Sequence, residues 1–343
     1  MKAKVKSKLN LENRTALQDV IPLDTPFLLY VDPSSACNFH CKFCPNGHKD
    51  IFNEMGYRRG TLDIQLFYKM IDDLGEFSHP LKVMRMNKIG EPLLNKRLPE
   101  MIAYAKQSRL VEYIDLATNG SLFSRDLLVS LVDAGLDRIN VSLEGMNAEQ
   151  YKKTARVDFD FETLVEYIRW FYKHKGACEL TVKVPKSCIE DDQKKLFYDT
   201  FGDYCDRIFI EELSPIWPNF DVEAHAGVTF QNAAGQYQQE LKEKNVCTYI
   251  FYSAVVNADG TVSACCPDWS QSLVVGNLAN DKLKAIWNSE AFYQLRRQHL
   301  EGKRRDNRLC GDCGHIKYAQ VDDIDLYSEI LLARLNARLG DVA

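Results

Sequence analysis

From residue 26 to residue 214, short apolar runs alternate with segments whose apolar residues recur at helical spacing. The run Phe27-Leu28-Leu29-Tyr30-Val31, bounded by Pro26 and by Asp32-Pro33-Ser34-Ser35, has the pattern of a buried strand. Leu66, Phe67, Met70, Ile71 and Leu74 then repeat every three to four positions and predict a helix within 62–77. The same alternation predicts strands at 81–86, 113–117, 138–143, 179–184 and 207–213, with helices at 98–107, 126–134, 161–174 and 192–201. Six strands separated by five helices read as parallel strands joined by right-handed crossovers, an α/β fold. A curved partial (β/α)6 barrel is the preferred closure, although a doubly wound open sheet fits the periodicity nearly as well. In such barrels the chemistry gathers at the carboxyl ends of the strands.

The flanks are patterned differently. Residues 1–25 are polar and read as an arm, and 215–246 as a loop-rich linker after the 26–214 barrel. Residues 247–320 form a cysteine-rich unit, with Asn257-Ala258-Asp259-Gly260-Thr261-Val262 as a hairpin turn. A C-terminal helix is expected within 321–343, its apolar face of Ile324, Tyr327, Leu331 and Leu335 packed on the barrel.

At 343 residues the length suits about two domains, and 45% hydrophobic with 27% charged residues is an ordinary globular balance. The net charge of -5, without a basic stripe, argues against nucleic acid as a partner. No apolar run reaches the roughly 18 residues of a membrane span, and the basic start is not followed by a signal-like apolar region. A cytoplasmic protein with reduced thiols is therefore expected.

The eleven cysteines are clustered, which points to metal or redox use. Cys37, Cys41 and Cys44 follow the first strand on one loop. Three thiolates so placed can hold three irons of a cubane cluster and leave the fourth iron open; a zinc loop or three buried thiols is the plainer alternative. Cys247, Cys265, Cys310 and Cys313 supply four more thiols, for zinc or a second cluster, and Cys266 competes with Cys265 for a place among them. Cys178, Cys188 and Cys205 lack metal spacing and read as buried small hydrophobes, with Cys188 just past a strand end.

The C-x3-C-x2-C loop, with Phe43 before its last cysteine, resembles that of the radical S-adenosylmethionine (SAM) superfamily. That resemblance selects the partial barrel and implies a [4Fe-4S] cluster whose open iron binds SAM and splits it to a 5'-deoxyadenosyl radical. It also implies cofactor contacts. Gly90 and Glu91 resemble the Gly-Gly-Glu-Pro turn, with Ile89 in place of the first glycine. Asn119 matches a strand-end station near the cofactor, Ser142 and Glu144 the ribose contacts, and Arg156 a partner of the methionine carboxylate. Beyond these the correspondence ends, and Lys183, Glu211 and Glu212 at later strand ends are candidates for substrate contact or proton transfer. The spacing from Cys247 through Gly260 to Cys265, then Gly276-Asn277, Trp287 and the terminal Cys310-Gly311-Asp312-Cys313, resembles the SPASM and twitch extensions. With no cysteine after Cys313, one auxiliary [4Fe-4S] cluster is implied.

One auxiliary cluster on a short chain resembles the arrangement in the aminocyclitol dehydrogenase of butirosin biosynthesis. The expected activity is thus that of a radical SAM oxidoreductase: dehydrogenation of a small sugar or cyclitol-like substrate, the auxiliary cluster accepting an electron. A flavodoxin or ferredoxin would serve as electron donor. Peptide or protein modification and nucleotide-sugar rearrangement or decarboxylation are the enzymatic alternatives. A non-catalytic iron-sulfur or zinc protein is the alternative of a different class.

Overall fold

A computed structural model describes residues 1–7, 9, 14–54, 59–230 and 233–340. Its strands are β1 (Lys4–Val5), β2 (Leu28–Val31), β3 (Leu81–Met86), β4 (Val111–Thr118), β5 (Arg138–Ser142), β6 (Glu179–Pro185), β7 (Arg207–Glu211), β8 (Ser253–Val256), β9 (Thr261–Ser263) and β10 (Val274–Asn277). They form one sheet in the order β1-β7-β6-β5-β4-β3-β2-β8-β9-β10. Pairing is parallel from β1 through β8 and antiparallel from β8 to β10. The six strands expected from the alternation are β2 to β7.

Local signals set the crossover helices. Asp63 accepts the Gln65 and Leu66 backbone N–H groups and starts the Ile64–Asp73 helix. Ser124 caps Arg125–Asp133 and Asp160 caps Phe161–His174 in the same way. These helices bury Phe67, Met70, Leu128, Ile168 and Phe171 against Met84, Leu116, Ile139 and Val182 on the outer sheet face. Each such side chain contributes about 1.5–3 kcal/mol on burial.

The inner sheet face is polar. Tyr30, Arg85, Asp115, Arg138 and Glu179 are in-register neighbours across β2 to β6. Burial alone would raise the Asp115 carboxyl, but Arg85 at 2.7 Å and Arg138 at 2.6 Å hold it at about 2. This charged row closes the barrel interior beneath the strand ends.

Three features depart from the sequence expectation. The supposed arm contributes β1, which pairs with β7. The cysteine-rich unit is not a separate layer, because β8 lies parallel beside β2, with Leu28 opposite Ser253 and Val31 opposite Val256. The Ser328–Gly340 helix packs on the Glu290–Leu300 helix, and Arg338 donates to the Pro22 and Leu23 carbonyls, so this helix joins the auxiliary unit to the N-terminal segment. Leu331 and Leu335 are buried as expected of an apolar face. Tyr327 precedes the helix in a 3-10 turn and is 41% exposed.

Gln236 of the linker bridges the end of β7 and the auxiliary unit. Glu212 N–H donates to Gln236 O at 3.3 Å, and Gln236 N–H to Tyr318 O at 2.7 Å. Between them, buried Tyr237 sits near Glu211, Tyr30 and Arg85.

Candidate active site and cluster sites

The cysteine loop leaves the end of β2 and is fastened on several sides. His40 and Lys42 N–H donate to Ala155 and Thr154 carbonyls, and Glu91 N–H donates to Ala36 O at 2.8 Å. Asn46 Nδ2 donates to Ser35 O and to Ile89 O, both at 2.9 Å. A Cβ at Gly90 would fall on the Ser34 and Ala36 carbonyl oxygens, so only glycine lets this turn reach the loop. Ile89, in the place of a glycine, turns its side chain into a small apolar cap with Phe52, Phe220, Val222 and Trp269, against which Phe43 and Cys44 also pack.

Cys37, Cys41 and Cys44 are each partly exposed. Burial pushes Cys37 up to about 12 and Cys44 to about 11, and raises Cys41 as well, with the neighbouring Glu144 adding to the shift. Thiols so disfavoured as anions require a cationic occupant to become thiolates. Three sulfur donors on one anchored loop fit an iron-sulfur cluster with one corner left open.

The strand-end residues fall into two groups. Glu91 is 2% exposed and spends its carboxylate on Thr118 Oγ1 at 2.6 Å, Asn119 N at 2.8 Å and Leu93 N at 3.1 Å. Its side chain braces the turn after β3 to the end of β4, while Gly90 provides the close backbone approach. Asn119 Nδ2 donates to Asn38 Oδ1 at 2.9 Å, and Asn38 Nδ2 to Ser121 Oγ at 2.7 Å, tying β4 to the cysteine loop. Arg156, with a left-handed φ of 56°, donates from Nε to the His40 carbonyl at 2.7 Å and stands 3.2 Å from His48 Nε2. Asn119 and Arg156 thus hold the loop, and Glu91 holds the turn packed against it. Asn38, Asn46 and Ser121 carried no motif that would single them out in the sequence.

The second group faces inward. Glu144 stands beside the Cys41 thiol; burial pushes its carboxyl up to about 8 against the opposing pull of Lys183. Glu144 Oε2 is buried without a protein partner. Ser142 lies opposite Lys183 in the β5–β6 ladder. Lys183 forms an ion pair with Glu211, both largely buried, so neither is a solvated surface charge. Asn140 and Thr181, one layer deeper and in register, each keep a buried oxygen that no protein group meets. Glu212 pairs with Lys186 at 3.1 Å on the rim, beside an open groove of about 560 Å³ lined by Ile189, Leu213 and Phe230. Cys188 is buried near Glu144, and Cys178 and Cys205 lie in the core.

Cys247, Cys265, Cys310 and Cys313 line one small cavity of about 20 Å³. Asn307 caps the short Arg308–Gly311 helix by accepting Leu309 and Cys310 N–H at 3.1 Å, which presents Cys310 to the cavity. Burial pushes Cys313 up to about 12, and Cys247 adds to it. Cys266 does not line this space; it packs beside Leu28, Tyr30 and Val255. Among the described residues no three His, Cys, Asp or Glu side chains stand close enough to share one ion. Four thiols that line one cavity but stand too far apart to share one ion suit a cluster better than a single zinc.

Residues 31–191 match the sequence profile of the radical SAM superfamily, and 247–314 match that of the SPASM iron-sulfur cluster-binding domain. The chain belongs to the radical SAM superfamily. Its cofactors are accordingly SAM with a [4Fe-4S] cluster in the barrel and an auxiliary cluster in the SPASM domain. This radical SAM chain is similar to the tungsten-containing aldehyde ferredoxin oxidoreductase cofactor-modifying protein of Pyrococcus furiosus, with 24% identity covering 86% of this chain and 90% of that one. It is also similar to the SAM-dependent 2-deoxy-scyllo-inosamine dehydrogenase of Niallia circulans, with 22% identity covering 87% and 96%. Among solved structures, BtrN in complex with AdoMet and 2-DOIA matches with a TM-score of 0.53 at 19% identity, covering 84% of this chain and 92% of that one. Streptococcus suis SuiB bound to SAM matches at 0.60 with 12% identity, covering 91% and 76%. At such identities the structural likeness shows the fold. Among the described residues no helix is long and apolar enough to cross a membrane.

Proposed function

We propose that this radical SAM chain dehydrogenates a small polyhydroxylated substrate, sugar or cyclitol-like, with the SPASM-site cluster accepting an electron. The observation that carries this reading is the inward-facing polar set formed by Lys183, Glu211, Asn140 and Thr181, two strands of it beside Glu144 and the Cys41 loop. Bound together, the barrel cluster and SAM supply a radical that removes a hydrogen atom from carbon.

The chain's own residues divide the remaining work. Asn140 Oδ1 and Thr181 Oγ1 are buried groups suited to hydroxyls, each costing about 1–3 kcal/mol if left unmet. Lys183 Nζ orients the reacting hydroxyl oxygen, and the Glu211 carboxylate receives its proton as the carbonyl forms. Glu144 is assigned to the ribose hydroxyls of SAM, and Tyr237 with the Phe43, Ile89 and Trp269 cap excludes water. The likeness to the inosamine dehydrogenase over 96% of its length supports the substrate class.

Peptide or protein modification is the second reading, favoured by the open groove at Glu212 and Lys186, which has room for an extended segment. The deciding experiment is anaerobic reconstitution, a count of about eight irons per chain for two cubane clusters, and incubation with aminocyclitols and sugars deuterated at each carbinol carbon. Deuterium in 5'-deoxyadenosine supports the proposal; SAM cleavage without transfer from any polyol sinks it.

A further inference from the structure

The four-cysteine cavity has buried nitrogen donors that its ligand set does not use. His299 is fully buried on the Glu290–Leu300 helix and lines the cavity. Its Nδ1 accepts the Cys247 backbone N–H at 3.2 Å. A ring nitrogen that accepts carries no proton, so the neutral imidazole holds its hydrogen on Nε2. That Nε2 is buried and meets no protein group.

Gln320 repeats the logic. Its Oε1 accepts the Thr248 N–H at 3.1 Å and the Thr248 hydroxyl at 3.0 Å. This fixes the amide and turns Nε2 towards Cys247 Sγ at 2.8 Å, with His315 Nδ1 at 3.4 Å. Arg304, also buried on the cavity wall, anchors Nη1 on the Cys310 carbonyl and keeps Nε unmet. Three side chains from separate segments therefore bring N–H groups to the space enclosed by the thiols.

We propose that His299, Gln320 and Arg304 form a donor shell that bonds the sulfurs of the SPASM-site cluster and raises its reduction potential. N–H groups at sulfur and a nearby cation favour the more negative, reduced state. The shell makes this site the better one-electron acceptor, so the inference rests on the electron-accepting role proposed above. The three are positioning residues, since none is needed as a ligand.

The test uses the full chain with Cys37, Cys41 and Cys44 replaced by alanine, so that reconstituted iron lies at the SPASM site. In that background His299→Leu and Gln320→Glu each lower the midpoint potential, with iron and sulfide content retained. The expected shift is at least tenfold in the reduction equilibrium, about 59 mV for one electron. In the unsubstituted holoenzyme, isotope-labelled histidine nitrogen shows a weak magnetic coupling to the reduced auxiliary cluster, lost in His299→Leu. Unchanged potentials at full iron content, or no histidine coupling in the unsubstituted protein, overturn the shell. Zinc or no metal at the site overturns instead the cluster reading beneath it. If the variants fail to load iron, the labelling experiment decides.

Discussion

Lys183 and Glu211 pair across β6 and β7 although they are not register partners, since Lys183 stands opposite Phe209 and Glu211 opposite Pro185. The diagonal contact brings an ammonium and a carboxylate together at the strand ends, where an isolated charge of either sign would be costly.

Substitution at this pair separates chemistry from cofactor binding. Glu211→Gln keeps the shape and removes the proton acceptor, so turnover is expected to fall by about 10²–10⁴-fold while uncoupled SAM cleavage persists. Quantifying product against 5'-deoxyadenosine in one assay checks this. Parallel loss of both would place Glu211 at the cofactor instead.

The two cysteine sets are expected to load independently. Cys41→Ala abolishes SAM cleavage and retains the auxiliary cluster, a loss of about half the iron if each site holds a cubane. Cys310→Ala removes the other half and lowers product yield while some hydrogen abstraction remains. Unchanged product yield in Cys310→Ala would remove the electron-acceptor role.

Gly90→Ala tests the contact between the β3 turn and the cysteine loop. The added methyl meets the Ser34 and Ala36 carbonyls, so the turn must withdraw from the loop. Iron at the barrel site is expected to fall sharply and iron at the SPASM site to persist, as Mössbauer or EPR quantitation would report.

Glu91 predicts a pH dependence of the apoprotein. Burial raises its carboxyl from the ordinary 4.5 to about 7, against hydrogen bonds from Thr118, Asn119 and Leu93 that pull it down. Between these values the folded state holds a proton that the unfolded state has released, so this group's contribution to stability falls as pH rises from about 4.5 to about 7. Glu91→Gln should flatten that slope in thermal melts. An equal slope in the variant would assign the dependence to other groups.

The strands β2 to β7 were legible because each run is apolar where it meets the crossover helices, and caps such as Asp63 and Asp160 mark where those helices start. The pairing of β8 with β2 was not, since a short apolar run announces a strand but not its neighbour. The thiols were legible by spacing, and the cavity separates Cys265 from Cys266, which spacing cannot do. At Glu91 and Arg156 the sequence shows a charge but not its partner, since a charged side chain reads alike whether it meets a ligand or a backbone group. His299 and Gln320 lie 52 and 73 residues from Cys247, on segments with no local signal tying them to it.

Because β8 zips onto β2, the strand that feeds the cysteine loop owes one flank to the distal third of the polypeptide. Cutting the chain after the linker would strip that flank and leave a raw, sticky seam beside the radical chemistry. The two halves are therefore expected to be inseparable by truncation, and any minimal version of this enzyme has to retain both.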